Sequence, residues 1–283
     1  MQISAGFDIV YDCPHPTPMI LLLSPHPSRE TDLAAPQEML FDPPIAHERY
    51  LDSFGNVCTR ILAPEGRLTI SSRMVVSDAG LPDRITPEAQ QHPVEELPAD
   101  TLVYLLGSRY CDTDRMSDRA WHLFGGGPRG WALVQAICDY AHERIVFNYQ
   151  HADSTRTASD GERDGRGVCR DYAHLAITLC RCMNVPARYC TGFLGDMGTL
   201  PPYGVMDFAA WFEVYLGGEW HTFDARNNTP RIGRILIARG RDATDVAIAT
   251  TFGPCRLSGF DVICTEMAAE LVDDSILASA HPS

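Results

Sequence analysis

The stretch GVCRDYAHLAITLCRC, Gly167–Cys182, decides how this chain is read. Ala173, Ala176, Ile177 and Cys180, with Asn184 or Met183 beyond, recur at helical spacing, and Pro186 stops the run. The stripe is small and apolar, so the helix it predicts can lie close against a sheet. Cys169 stands at the head of that helix, where unpaired backbone N–H groups and the helix dipole favour a negative sulfur. A thiolate that attacks an acyl carbon also needs a proton carrier and a group to orient it. Both have to come from elsewhere in the chain.

Downstream, ARYCTGFL reads as a strand, and the loop GDMGTLPPYGVMD leads into AAWFEVYL, then Gly217–Gly218, then EWHTFDA, a hairpin joined by a two-glycine turn. Strand material follows near Arg234–Arg239, and the runs VAIATTF and SGFDVICTEM are expected to close the same domain. Upstream, Trp131, Val134, Ile137, Cys138, Ala141 and Ile145 form one face of a helix, followed by a polar loop from Tyr149 to Gly167. Before that, ISAGFDIVYD, PMILLLS, NVCTRILAP and RLTISSRMVVSD are short strands separated by turn residues, the pattern of a small β-sandwich or barrel. The predicted organisation is an N-terminal β-rich domain over 1–80, a Pro- and Glu-rich linker over 81–100, a second domain over 101–268 and a polar tail over 269–283.

The 37 acidic residues outnumber the 23 basic ones, for a formal charge of −14. That balance repels phosphate backbones and anionic lipid heads, so neither nucleic acid nor a membrane surface is an expected partner. The first residues show neither a basic segment nor a continuous apolar one, and a cytoplasmic location is expected. In that compartment the ten cysteines read as reduced thiols, and without a CxxC pair no structural zinc is expected. The run ARNNTPRIGRILIARGRD reads as a salt-bridge surface, with a contact to an anionic substrate as the alternative.

GVCRDYAHL followed by AAWFEVYLGGEWHTFDA resembles the transglutaminase-like superfamily, and GFDIVYDCPHPTPM and FDPPIAHERYLDSFGNVCTRILAP resemble the N-terminal domain that accompanies this core in a bacterial branch. The resemblance implies an α+β fold: an N-terminal β-sandwich-like domain, then a papain-like transglutaminase core with the Cys helix packed on an antiparallel sheet. It implies Cys169 as nucleophile and Asp224 as the acid that orients a proton carrier. The family's histidine is expected two residues before Trp211, where this chain has Ala209, or just after the Asp-Ala-Arg run, where it has Asn227.

His221 is the remaining candidate on the hairpin. In the register set by a two-residue turn it opposes Val214, on the face away from Ala209, Trp211, Glu213, Thr222 and Asp224, so only a bulge would carry it to Asp224. His174 lies five residues along the helix from Cys169, turned away, and His151 sits in the loop before it. The function implied is a cysteine peptidase or amidase acting on a peptide or protein amide through a Cys169 thioester, with no cofactor. The alternative is a degenerate domain that binds such a segment without turning it over.

Overall fold

A computed structural model describes residues 1–201 and 204–267; the expected polar tail over 269–283 lies outside the described residues. The first segment is built from β1 (Gln2–Cys13), β2 (Thr17–Leu21), β3 (Leu40–Asp42), β4 (His47–Leu51), β5 (Val57–Ala63) and β6 (Gly66–Ser77). The long strands alternate as a half-buried sheet must. Ile3, Ala5, Phe7, Ile9 and Tyr11 of β1 and Leu68, Ile70, Met74 and Val76 of β6 point into one core with Met19, Leu21, Ile61 and Ala63.

The second segment holds α1 (Thr113–Phe124), α2 (Trp131–Arg144), β7 (Val146–Phe147), α3 (Ala158–Asp164), β8 (Arg166–Gly167) and α4 (Cys169–Cys182), then β9 (Ala187–Phe193), β10 (Ala209–Leu216), β11 (Glu219–Phe223) and β12 (Ile235–Gly240). The last four form an antiparallel sheet in the order β11-β10-β9-β12. Helix α4 packs on β9 and β10 and is touched by α1, α2 and α3. From Asp171 to Cys182 it is therefore buried on every side, more than the single stripe its sequence showed.

The chain's last described strands correct one expectation. β13 (Ala249–Thr251) pairs with β2, and β14 (Arg256–Glu266) pairs with β1 from Ile3↔Glu266 to Asp12↔Arg256. They complete the N-terminal sheets, in the orders β14-β1-β6-β3 and β13-β2-β5-β4, and do not close the second domain. The gain is physical, because β1 and β2 would otherwise present unpaired sheet edges.

The segment read as a linker is hydrogen-bonded along the core. Ala89 O accepts from Trp131 N at 3.0 Å and Gln90 O from Gly217 N at 2.8 Å. The polar loop before α4 contains α3, whose start is written in the sequence as Thr157-x-x-Asp160. Thr157 Oγ1 accepts from Asp160 N and the Asp160 carboxylate accepts from Thr157 N, each at 3.3 Å.

Candidate active site

Cys169 is the first residue of α4. The entry to the helix is fixed by Asp171, whose Oδ2 accepts from Val168 N at 2.7 Å and pairs with Arg156 Nη1 at 3.4 Å. This fold-back passes so close to Gly167 that a β-carbon there would stand 2.4 Å from Asp171 Oδ2 and 2.6 Å from its Cβ. Glycine is required by contact, and the result is a cysteine held in one position at the helix mouth.

Two backbone N–H groups, those of Arg170 and Ala210, favour a negative Cys169 sulfur, and so does the Arg226 guanidinium. They do not prevail. The residue keeps some solvent contact, but the dense packing around it pushes the thiol from its ordinary 9.0 up to about 11, and the Asp207 carboxylate adds to the rise. At neutral pH Cys169 holds its proton.

A cavity of about 100 Å³ is lined by Tyr149, Asp207, Ala209, Arg226, Asn227 and Arg231 among others, and its Asp207 and Arg226 are the charged groups that act on the Cys169 sulfur. Arg226 stacks on Phe147 with its Cζ 4.0 Å from the ring centroid. Burial raises the Asp207 carboxyl above its usual range, opposed by the Phe208 N–H and by Arg226. None of the described lining residues is a histidine.

Asp224 directly follows β11 and organises the turn there. Its Oδ1 accepts from Arg226 N at 3.1 Å and Asn227 N at 2.9 Å, and its Oδ2 accepts from Asn227 Nδ2 at 2.7 Å and Arg234 Nη2 at 2.9 Å. Both oxygens are thus engaged. The side chain that Asp224 orients is the Asn227 amide, whose Oδ1 in turn accepts from Arg231 Nη1 at 3.0 Å. Asp224 and Cys169 fall at the ends of the elements from which sequence reasoning took them.

The structure does not bring His221 to Cys169. Gly217 and Gly218 both have positive φ, 60° and 91°, and the turn they make sets a register without a bulge in which Val214 opposes His221. The His221 ring Nε2 lies 3.1 Å from Leu216 O and the ring sits edge-on to Trp131. The proton-carrier role for His221 therefore has no geometric support. His174 is fully buried between Tyr110 and Tyr189, accepts from Ala243 N at 3.2 Å, and is pushed down to about 3, first by burial and then by Arg170. His151 caps no part of the cavity lining; its carbonyl binds Arg156. Sequence reasoning passed over His142, whose Nδ1 lies 3.2 Å from Ala225 O beside the Asp224 turn. It also passed over Asp207 and Tyr149, which carry no spacing signal and reach the site only through loops. Among the described residues no group of three or more His, Cys, Asp or Glu side chains could hold a metal ion.

Comparison with known proteins accounts for this frame. Residues 125–225, which contain both Cys169 and Asp224, match the model of the transglutaminase-like superfamily. A solved structure from Cytophaga hutchinsonii, described as a candidate cysteine protease, superposes with a TM-score of 0.83 at 30% identity, over 95% of this chain and 92% of that one. The chain belongs to the transglutaminase-like superfamily. An uncharacterized protein of Mycobacterium leprae is 28% identical over 219 residues, 70% of this chain and 73% of the relative, and one of Mycobacterium tuberculosis is 32% identical over 130 residues, 40% of each. The transglutaminase-like fold seen here supports a general hydrolase or transglutaminase-like function and a peptide or protein as the bound molecule. No described helix is long and apolar enough to cross a membrane.

Proposed function

We propose that this chain is a transglutaminase-like domain that docks an amide-bearing peptide or protein segment at Cys169 and holds it without acyl turnover. One observation carries the reading: no imidazole stands among the groups that act on the Cys169 sulfur or among the described lining of the cavity that holds Asp207 and Arg226, and the amide of Asn227 occupies the partner position on Asp224. An amide nitrogen has no lone pair to take the thiol proton, so Cys169 stays a neutral thiol. The N–H groups of Arg170 and Ala210 then serve as donors to a substrate carbonyl, and Arg226 offers a flat cation to a carboxylate next to it.

The second reading is a cysteine peptidase or amidase that forms a thioester on Cys169, with Asp224 orienting the proton carrier. The place of the sulfur at the mouth of α4 favours it. Intact-mass spectrometry of the chain incubated with activated acyl esters and with peptide amides separates the two. The binding reading expects no acyl adduct from amides and unchanged peptide affinity in Cys169→Ser. A Cys169-linked acyl adduct that forms from a peptide amide and then hydrolyses would overturn it.

A further inference from the structure

The arginine-rich run after Asp224 turns inward. Arg231, Arg234 and Arg239 meet Arg29 of the N-terminal segment around a cavity of about 220 Å³, on the sheet face that carries Trp211, Glu213 and Thr222. Four guanidinium groups line it against three carboxylates, Asp78, Asp83 and Glu213.

The carboxylates already have partners. Asp83 accepts from Arg234 Nε and from Arg231 N, each at 2.9 Å, Glu213 accepts from Arg188 Nε at 2.6 Å, and Asp78 accepts from Gly80 N at 2.8 Å and Arg29 Nη2 at 3.4 Å. The arginines are less well served. Arg234, with only 8% of its side chain exposed, leaves Nη1 without an acceptor, and Arg231 leaves Nε without one. Arg29 Nε and Arg239 Nε lie 3.0 Å from Asp32 and 3.3 Å from Glu213 but form no aligned hydrogen bond. Every buried orphaned side-chain atom among the lining residues is thus an arginine donor, and no buried lining oxygen is orphaned. Buried donors without acceptors are costly, and an acceptor-rich ligand removes that cost. The surroundings agree: nearby His26 is pushed down to about 4, by burial first and then by the positive charges of Arg239 and Arg188.

We propose that this cavity binds a compact multivalent oxyanion of the phosphate type, held by Arg231, Arg234, Arg239 and Arg29. Guanidinium forks match tetrahedral oxyanions in charge and geometry, and an anion of this size fits the space. The site stands on the sheet face away from the helices, and Arg231, which also lines the cavity of Arg226 and Asn227, joins it to the candidate active site.

Isothermal titration of the full chain with inorganic phosphate, at constant ionic strength in chloride buffer, tests it. Sulfate and acetate form parallel arms. The expected result is saturable one-to-one phosphate binding, matched in kind by sulfate and absent for acetate, weakened about tenfold or more in Arg231→Gln and in Arg239→Gln. Arg234→Gln removes a partner of both Asp83 and Asp224 and risks the fold, so the other two variants carry the comparison, with circular dichroism confirming that each is folded. The absence of saturable binding by the wild type at about 10 mM phosphate would mean a cavity filled by water alone and would overturn the proposal. So would equal affinities in wild type and both folded variants, or acetate binding as tightly as phosphate.

Discussion

The protonation of Cys169 can be read directly from the rate at which iodoacetamide alkylates it. A thiol held at about 11, against an ordinary 9.0, has roughly one hundredth of the ordinary thiolate population at pH 7. A more basic thiolate is intrinsically more nucleophilic, by a Brønsted slope of about 0.4 to 0.5, which returns roughly six- to tenfold. The net expectation is alkylation about tenfold slower than that of an unperturbed thiol at pH 7, with a rate still climbing tenfold per pH unit at pH 9. The sign of each neighbour follows from its charge: Asp207→Asn removes a carboxylate that disfavours the thiolate and speeds alkylation, while Arg226→Gln removes a cation that favours it and slows alkylation. Cys255 is the other cysteine with solvent contact, so the assay uses Cys255→Ser protein and quantifies the Cys169 peptide by mass spectrometry. A rate that levels off below pH 8, or that matches or exceeds the unperturbed thiol at pH 7, would refute the argument that burial outweighs the helix mouth. It would also point to a proton acceptor that the described cavity does not contain.

Asn227→His places an imidazole where the Asn227 amide now meets Asp224 Oδ2 at 2.7 Å, and it is expected to lower the pH midpoint of Cys169 alkylation by at least about one unit; an unchanged midpoint would show that residue 227 does not face the sulfur. Gly167→Ala forces a β-carbon against Asp171 and is expected to cost about 2 kcal/mol or more, seen as a lower urea midpoint with an unchanged slope. A stability equal to wild type would show that the start of α4 is softer than its contacts imply.

Much of this protein was legible in local pattern. The helix from Trp131 to Arg144 buries five of the six residues that the 3.6-residue repeat marks, with the sixth, Ile145, buried at its C-cap, and the hairpin of β10 and β11 turns where two adjacent glycines allow positive φ at both central positions. Periodicity of two fixed the register, and so fixed that His221 opposes Val214. Helix α1 was missed although Met116, Ala120 and Phe124 recur at four-residue spacing, because the charged residues between them mask a narrow buried stripe.

The sequence by itself determined that a cysteine opens a helix, that an aspartate follows the second strand of a glycine-turned hairpin, and that the two positions where a histidine is expected hold Ala209 and Asn227. The first two follow from residue identity and short-range periodicity, which act over a few neighbours, and the third from the family resemblance those motifs carry. Tertiary structure alone decided that β13 and β14 return across the chain to β2 and β1, that Asp224 spends its second oxygen on Asn227 and Arg234, and that the arginines after it enclose a cavity with Arg29. Each of these pairings joins side chains or strands whose local sequence is compatible with many partners. The choice among those partners is made by which edges, donors and charges the packed core leaves unsatisfied.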